Sequence, residues 1–524
     1  MKKAILILLC AALCAGSICG CAVSDSGAYV ATGDALEGAT SATSATTADE
    51  SDSAAQSISM CYYADAGFNP YTCTNFTNRA LFSFLYQSLF NVDADYNVTP
   101  ILCNAYSVSS DMKTYTLEIA PARFSDGTLL TVEDVMASLE AAEAGSYYSG
   151  RFLHVSSITQ EGSRIVIKLD TPMENLPLLL DIPIVKASEV DSDQPLGTGP
   201  YQLESSISGL QLRRQSAWWC SADLPISATY IPLVAAESAS YIRDQFEFAD
   251  VNLVCTDPGS DTYADYRCDY EIWDCETGLF LYLVVSANCE ALADDEVRQC
   301  LTYAIDRDSL CETYYHGFAR SATLPASPQS PYYSETLAAR YSYDPTRLSE
   351  ILWDKNLYGA EVTLLLNSDD SLRLRAGRAI ADMLEECGLE VTLLELGTTD
   401  YIARLRSGDY DLYLGQTKLS PNMDLTAFFK TNGSLSYGSL SDSAIYAMAL
   451  EALTNSGNYY NLHEMVMEDA QLIPILFRSY AVYAERGLIT GLNPSRDNLL
   501  YYNLGISLED ILTDFTQEAT QGEE

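Results

Sequence analysis

The sequence is poor in histidine and in basic residues. It has three histidines among 524 residues, and 29 Lys and Arg residues stand against 72 Asp and Glu residues, so the formal net charge is -43 at pH 7. Proteins that bind nucleic acid gather Lys and Arg against the phosphates, so this charge balance excludes nucleic acid as a partner. Strong acidity is typical of a soluble surface protein.

Motifs for metal-dependent or nucleophilic catalysis are also missing. His463-Glu464 begins like the H-E-x-x-H zinc motif, but Met467 stands where the second histidine is needed. No G-x-S-x-G nucleophile elbow occurs. Gly197-Thr198-Gly199 does not continue into a dinucleotide-binding pattern, because position 202 is Gln. We therefore expect no catalytic residues, no metal site and no cofactor.

Cysteine is abundant, but its pattern is neither a zinc site nor a clear disulfide framework. Of 15 cysteines, four lie at or before Cys21, and the other eleven are spread between Cys61 and Cys387 with no C-x-x-C spacing. An odd number of cysteines is unusual for an exported protein. We expect most of the eleven to be small buried apolar residues, and spacing alone leaves any pairing open.

A long apolar run at the N-terminus resembles a signal peptide, predicted over residues 1-20. Met1-Lys2-Lys3 precedes an uncharged run from Ala4 to Ile18, which is shorter than the roughly 20 residues that span a bilayer. The run ends in Ile18-Cys19-Gly20-Cys21, which resembles a lipobox, so Cys21 is the predicted lipidation site; an ordinary signal peptide is the alternative. Residues 21-56 contain no Lys or Arg and are predicted to be a disordered linker.

The later sequence alternates between strand and helix patterns. Strands are predicted at Ser57 to Tyr63, Met112 to Ile119, Ser163 to Leu169, Tyr201 to Leu203, Leu279 to Val285, Gly359 to Leu366, Leu389 to Leu396, Tyr410 to Leu414, Ile473 to Ala484 and near Tyr501. Helices are predicted at Phe76 to Leu89, Thr131 to Ala142, Asp294 to Ile305, Ser371 to Cys387 and Thr399 to Ser407. After residue 276 the alternation favours an α/β region with a largely parallel sheet.

Several motifs, taken in chain order, resemble one protein family. They are Leu85-Tyr86-Gln87-Ser88-Leu89-Phe90, Arg123-Phe124-Ser125-Asp126-Gly127-Thr128, Glu133-Asp134-Val135, Gly197-Thr198-Gly199-Pro200-Tyr201, the run VRQCLTYAIDR from Val297 to Arg307, Tyr343-Asp344-Pro345 and Gly408-Asp409-Tyr410-Asp411-Leu412. Each is weak alone, but the ordered set from about residue 57 to 505 is similar to the family 5 extracellular solute-binding proteins. That family includes the oligopeptide, dipeptide and nickel receptors of ABC importers.

The resemblance implies a three-lobed α/β fold of the periplasmic-binding-protein type. A ligand cleft would lie between two α/β lobes, and an extra lobe would be inserted. We expect residues 57-92, 197-275 and 485-515 to form lobe I, 93-196 to form lobe II and 276-484 to form lobe III. Closure around a solute would hinge where the chain crosses between lobes, near 272-278 and 480-488.

The resemblance also indicates a binding loop at residues 417-429. In the family's peptide receptors an aspartate of this loop holds the free amine of the peptide through a charge-assisted hydrogen bond. When Phe428 is set on the family's phenylalanine, the amine-binding position falls on Pro421, or on Ser420 after a one-residue slip. Neither side chain carries a carboxylate, so we predict that a free amine is not the anchor of the solute.

Three residues of this loop are candidate ligand contacts: Lys418, Ser420 and Asp424. Lys418 lies near the place of a family tryptophan that is missing here, and Asp424 falls on a later acid of the family pattern. For Asp424 the favoured alternative is the capping of a helix from Leu425 to Lys430.

The resemblance implies a substrate-binding lipoprotein of an ABC importer. It would capture a small solute or short peptide at the extracytoplasmic face of the bacterial cell membrane and deliver it to permease subunits, with the lipid as its membrane contact. The alternatives are an exported hydrolase and a structural surface lipoprotein. A receptor would show ligand-dependent thermal stabilisation without turnover, a hydrolase would form product, and a structural protein would show no ligand response.

Overall fold

The computed structural model describes residues 58–220, 228–258, 266–437, 440–489, 492 and 494–497, together with the backbone of 28–29. The predicted signal peptide, Cys21, nearly all of the predicted linker and the predicted strand near Tyr501 lie outside these residues. Within them, no helix combines the length and the apolar character that a membrane span requires.

The strands of the described residues form one large sheet and three smaller sheets. They are β1 Ala28–Tyr29, β2 Met60–Tyr62, β3 Gln87–Ser88, β4 Phe90–Val92, β5 Val98–Pro100, β6 Cys103–Val108, β7 Thr114–Ile119, β8 Val155–Glu161, β9 Arg164–Leu169, β10 Pro183–Ile184, β11 Tyr201–Ser206, β12 Gly209–Arg214, β13 Tyr230–Ala235, β14 Leu253–Thr256, β15 Tyr270–Val285, β16 Ala319–Ser321, β17 Glu361–Asn367, β18 Glu390–Leu396, β19 Leu412–Lys418 and β20 Leu472–Glu485. Every strand predicted between residues 57 and 484 has an observed counterpart.

The α-helices pack against the large sheet and against the smaller sheets. They are Phe76–Ala80, Phe82–Leu85, Val132–Ala144, Ala239–Glu247, Asp295–Ala304, Arg307–Tyr315, Glu335–Ala338, Thr346–Asp354, Ser371–Glu386, Thr398–Ser407, Thr426–Phe429, Ser443–Thr454 and Tyr459–Asp469. Short 3-10 turns occur at Ser149–Phe152, Leu176–Leu179, Ala187–Glu189, Glu290–Leu292, Ala339–Tyr341 and Ser456–Asn458. A capping box begins the helix predicted from Thr131, because the Asp134 carboxylate accepts a hydrogen bond from the Thr131 backbone N–H at 2.8 Å.

One predicted helix, Phe76 to Leu89, is wrong as a single element. The chain forms two short helices that break at Leu81 and then enters strands β3 and β4. Residues 77–92 are buried throughout, so their apolar pattern reflects burial on all sides and not one helical face.

The large sheet is mixed, which corrects the expectation of a largely parallel sheet after residue 276. Its order is β11-β12-β13-β2-β14-β20-β15-β19-β17-β18, with β1 on β15 and β16 on β20. β17 is parallel to β18 and β19, whereas the long strands β15 and β20 are antiparallel to each other, and β15 is antiparallel to β19. Buried strands read as continuous apolar runs in either direction, so the sequence does not reveal strand polarity here.

β15 and β20 join two separately packed halves of the molecule. Their pairing is irregular between Glu276 and Leu279. Before this break Trp273 and Cys275 belong to a core formed mainly by residues 60–255, and after it Leu281 packs into a core formed by residues 281–476. The two strands are therefore continuous elements that pass from one hydrophobic core to another.

The Gly-Thr-Gly-Pro-Tyr motif is a close crossing of two chain segments. A Cβ atom at Gly197 would lie 2.1 Å from the Leu85 carbonyl oxygen, and one at Gly199 would lie 2.4 Å from the Phe84 carbonyl oxygen. Only glycine permits this approach. The two glycines of this motif thus allow the segment to cross the end of the helix Phe82–Leu85 at close range.

All eleven cysteines after Cys21 fall among the described residues, and the buried ones are free thiols. Eight of them are buried, including Cys61, Cys255 and Cys311. Burial raises the pKa of the Cys61 and Cys255 thiols to about 12, so they are uncharged at neutral pH. They pack as small apolar side chains, as predicted.

Candidate ligand cleft

A cavity of about 260 Å³ lies where the predicted lobes II and III meet. One wall consists of residues 146–151 and 153, and the other consists of residues 417–421 together with 424, 427, 434 and 435. The second wall follows directly from the end of β19 and contains all three candidate ligand residues, Lys418, Ser420 and Asp424. The loop identified from the sequence therefore does border a cavity.

The charged centre beside this cavity is Asp497, whose side chain is fully buried. Its carboxylate accepts hydrogen bonds from Lys418 Nζ at 2.9 Å, from the Tyr147 hydroxyl at 3.0 Å and from the Arg151 guanidinium. Arg496 Nε lies 4.0 Å from the same carboxylate. The Asp497 carboxylate is thus surrounded by its neighbour Arg496 and by two cations, Arg151 and Lys418, from distant stretches of the chain.

Arg79 and the buried Asp181 complete this group of charged side chains. We name it the Asp497 cluster: Arg79, Tyr147, Arg151, Asp181, Lys418, Arg496 and Asp497. The Arg79 guanidinium lies 3.4 Å from the Tyr147 ring centroid and donates to the Tyr148 hydroxyl at 2.6 Å. Arg496 donates to the carbonyl oxygens of Leu419 at 2.7 Å and Thr277 at 3.3 Å.

Arg496 fits the cluster because of the residue that it passes. It lies against Gly278, where a Cβ atom would be 1.2 Å from Arg496 Nη2. Gly278 has a positive φ of 73° and lies within the irregular pairing of β15. A glycine at this point of the long strand therefore admits the guanidinium between the two halves of the molecule.

The cluster carries more positive than negative charge. Burial would raise the pKa of Asp497, but the charges of Lys418, Arg151, Arg496 and Arg79 outweigh it and hold the pKa well below its usual range. Burial raises the pKa of Asp181 to about 8, helped by Asp497 and opposed by Arg151. The Asp497 carboxylate therefore stands among three arginines and Lys418.

Tyr147, Arg151 and Lys418 are the cluster members that line the cavity, and Lys418 is the more exposed of the two cations. Its side chain is 23% exposed, compared with 5% for Arg151 and 4% for Arg496. Burial and the charges of the neighbouring arginines together lower the pKa of Lys418 to about 7, against the opposing effect of Asp497. Its ammonium also lies 3.8 Å from the Tyr147 ring centroid, a favourable cation–π contact.

At the other end of the loop, Asp424 is already engaged by the protein. Its Oδ1 accepts the Thr426 backbone N–H at 2.8 Å, and its Oδ2 lies 3.1 Å from His154 Nε2. The helix begins at Thr426, and Leu425, not Asp424, is the N-cap residue. The prediction that Asp424 is the N-cap is therefore wrong by one residue, although its carboxylate accepts the N–H of the first helical residue. Asp424 also pairs with His154, which the sequence did not indicate.

His154 lies between two carboxylates and is itself buried. Its Nδ1 is 3.3 Å from Asp170 Oδ1, and its Nε2 is also 3.1 Å from the Thr426 hydroxyl. Burial lowers the pKa of His154, but the hydrogen bond and the charge of Asp424, together with Asp170, outweigh it and the net pKa is raised. The pair connects residues 93–196 to the loop after β19.

The remaining loop residues offer little charge to a ligand. Ser420 borders the cavity, and a Cβ atom on Gly150 would lie 3.7 Å from its hydroxyl oxygen. Pro421 is buried and also lines the cavity. The wall that could hold an amine through a free carboxylate therefore presents a proline, a hydroxyl and the already paired Asp424.

A second cavity, of about 190 Å³, lies on the far side of Arg496. There the Tyr96 hydroxyl donates to Glu276 at 2.8 Å, and Arg320 pairs with Asp274 at 2.6 Å. Acidic side chains outnumber the two arginines in its lining. This cavity has the opposite charge balance to the one beside Lys418.

Histidine and acidic side chains do not assemble a metal site in the part of the chain that the structure describes. His463, the start of the incomplete zinc motif, is fully buried, and burial lowers its pKa to about 3. It is a neutral core side chain, stacked edge-on against Tyr459.

The chain is similar to known solute-binding proteins. The family model for bacterial extracellular solute-binding proteins, family 5, middle, matches residues 97–437. A Brucella ovis protein, named as a candidate ABC transporter peptide-binding protein, is 24% identical over 339 residues, which cover 58% of this chain and 62% of that protein. The glutathione-binding protein GsiB of Escherichia coli K12 is 22% identical over 350 residues, which cover 63% of this chain and 67% of GsiB.

Solved structures resemble this fold over most of its length. NikA from Brucella suis, in complex with Fe(III)-EDTA, aligns with a TM-score of 0.66 and 18% identity, covering 83% of this chain and 96% of NikA. The mixed α/β fold of the periplasmic-binding-protein type, expected from the sequence, is thereby confirmed. The family model spans well over half of the 524 residues; this chain therefore belongs to the family 5 bacterial extracellular solute-binding proteins.

Proposed function

We propose that this protein is the substrate-binding lipoprotein of an ABC importer. It captures a peptide or peptide-like solute outside the cytoplasm and delivers it to membrane permease subunits. It does no chemistry on the solute. The observation that carries this proposal is the cavity beside Lys418, formed by segments 146–153 and 417–435 that are far apart in sequence and separately packed.

The chain crossings beside this cavity support closure by a hinge. β15 and β20 are the continuous strands between the two cores, and the pairing of β15 is irregular at Glu276 to Leu279. We assign lobes I, II and III to the ranges expected from the sequence and place the hinge at these strands. A solute that contacts both walls would stabilise the closed state through the contacts that it makes only there.

The solute class is drawn from the relatives and from the loop chemistry. The relatives are named for peptides and for glutathione, whereas the NikA structure holds a metal chelate. Because the loop at residues 420–424 offers no unpaired carboxylate, the solute is held without an aspartate on its free amine.

Two measurements test the receptor. Native mass spectrometry of the purified mature protein should detect a small molecule, and re-adding it should raise the melting temperature without product formation. X-ray scattering should show a more compact particle at saturation. Turnover of a peptide or ester that a single substitution abolishes would contradict the proposal and favour the hydrolase, and a scattering curve unchanged by a verified ligand would contradict the hinge.

The lipid anchor is tested separately through Cys21. We expect Cys21→Ala to release the protein from the membrane fraction, because the predicted anchor is the lipid on this residue. Cys19→Ala is the matched control, since it changes the preceding cysteine of the same motif and leaves the acceptor in place. Membrane association of Cys21→Ala at the wild-type level would refute the anchor.

A further inference from the structure

We infer that the Asp497 cluster is an anion-binding subsite, in which Lys418 anchors an acidic group, a carboxylate or a phosphate, of the solute. The inference rests on the proposed receptor function and assigns the chemical class of its ligand. In the family's peptide receptors, a carboxylate of the protein binds an amine of the ligand. Here a cation of the protein would bind an acidic group of the ligand instead.

The first argument is charge balance. Arg79, Arg151, Arg496 and Lys418 surround the Asp497 carboxylate, and Asp181 is the other acid of the group. Burying unbalanced charge is unfavourable in a low-dielectric interior. A second anion would therefore be stabilised here, even though the protein as a whole has a net charge of -43.

The second argument is hydrogen-bonding capacity. The Lys418 ammonium has three donors, and one of them is used on Asp497. Arg496 has two nitrogens, Nε and Nη1, that are buried and without a hydrogen-bond partner among the described residues. Arg496 lines the second cavity and not the one beside Lys418, and Asp181 Oδ2 is an unpaired acceptor in the same cluster. The donors that a ligand in the cavity can reach are therefore the remaining ones of the Lys418 ammonium, which have no acceptor among the described residues.

The third argument is access. Of the three cations nearest to Asp497, Lys418 has the most exposed side chain, and the exposed part borders the cavity of about 260 Å³. Asp497 has no exposed side-chain surface and stays in place as a fixed acceptor that orients Lys418 and Arg151. The solute's acid then becomes the second acceptor on Lys418, opposite Asp497.

The test begins with inorganic sulfate, which keeps its charge across neutral pH. Thermal unfolding is followed in sulfate and in chloride at equal ionic strength, for wild type, Lys418→Met and Lys355→Met. Lys355 is the control, because it pairs with Asp294 at 2.7 Å on the exposed surface. Sulfate stabilises proteins generally, so only the difference between variants counts.

We expect sulfate to raise the melting temperature of wild type and Lys355→Met more than that of Lys418→Met, and Lys418→Arg to recover part of the effect. Equal shifts in all four proteins would mean a general salt effect and would overturn the inference. The melting curves themselves report whether Lys418→Met is folded.

The second arm uses tri-alanine in four forms, free, N-acetylated, C-terminally amidated and capped at both ends, with calorimetry. We expect the amide to bind about 10- to 100-fold more weakly than the free acid, the effect of one hydrogen bond to a charged group, and N-acetylation to have little effect. Dependence on the amine and not on the acid would overturn the anion subsite.

These outcomes separate the inference from the receptor proposal. A co-purified solute that binds wild type and Lys418→Met equally would leave the receptor standing and refute the anion subsite. The sulfate comparison reads the subsite directly and does not depend on tri-alanine being a ligand.

Discussion

Two buried ionic groups lie at opposite ends of one loop, and they differ in charge balance. At the Lys418 end, three arginines and Lys418 surround the Asp497 carboxylate. At the Asp424 end, one imidazole lies between the carboxylates of Asp424 and Asp170. Both groups connect distant segments, yet only the first has unused hydrogen-bond donors and a surplus of positive charge.

The difference teaches how to separate a ligand site from a structural contact. A pair whose charges and hydrogen bonds are complete holds the fold and needs nothing more. A group with excess charge beside a cavity is more stable when an outside ion completes it. We therefore regard His154–Asp424 as a structural link and the Asp497 cluster as the place where the solute binds.

The largest expected effect comes from Arg151. Arg151→Ala removes a buried partner of Asp497 and should lower the free energy of unfolding by about 3 to 5 kcal/mol, because the Asp497 carboxylate and the carbonyl oxygens of Leu179 and Asp181 lose a buried hydrogen-bond donor. Urea unfolding measures this. Arg151→Lys, which keeps a cationic donor beside Asp497, should lose less, and a loss in Arg151→Ala of less than about 1 kcal/mol would contradict the importance of the pair.

The next effect concerns the opposite end of the loop. Asp424→Asn should cost about 1.5 to 3 kcal/mol, the usual range for a hydrogen bond to a charged group, while its side-chain oxygen can still accept the Thr426 N–H. The raised pKa of His154 gives this cost a pH dependence. The contribution is complete below the unfolded histidine pKa of about 6.5 and disappears as the pH rises through the folded pKa.

The measurement for this variant is urea unfolding of wild type and Asp424→Asn at several pH values from 5 upward. The gap between the two should be widest at the acidic end and should narrow with rising pH. A gap that widens with pH would show that His154 is neutral in the fold and would reverse the assignment.

A smaller effect is expected in the pH dependence of anion binding. The pKa of Lys418 is lowered to about 7 by burial and by Arg496, Arg79 and Arg151, against Asp497. The buried charge of Lys418 therefore lowers the free energy of unfolding below pH 7. This loss is relieved as the pH rises from 7 to the unfolded pKa of about 10.5. Sulfate affinity should fall by up to about tenfold per pH unit above 7.

Calorimetry in two buffers of different ionisation enthalpy measures the proton linkage of Lys418. Sulfate binding near pH 7.5 should take up protons, because a bound anion raises the pKa of the ammonium. Lys418→Arg should bind without proton uptake, since its guanidinium stays charged. Proton-independent binding by wild type would show that Lys418 is not the anchor.

The smallest effect is predicted for Lys355→Met. This lysine forms exposed pairs with Asp294 and Glu296, and such pairs add little to stability in water. Neither unfolding nor anion binding should change measurably. A clear loss of sulfate stabilisation in this variant would mean that any lysine produces the effect, and the comparison between the two ends of the loop would no longer hold.

The sequence by itself determined the local elements and the family. The Thr131 box, the helix from Ser371 and the glycines at 197 and 199 depend on neighbouring residues or on backbone space, so their patterns are visible in the chain. The ordered motifs identify the family, and the resemblance indicates a binding loop at residues 417–429, which borders a cavity in the structure.

Only the tertiary structure decided the chemistry of that cavity. Asp497 is 346 residues from Arg151 and 79 from Lys418, and His154 is 270 residues from Asp424, so no periodicity or spacing connects them. The sequence also does not show which strands of the large sheet run parallel, because that depends on contacts between distant segments. Charge pairing and strand polarity depend on which segments meet after folding, and an isolated Asp in Ser495-Arg496-Asp497 gives no sign of it.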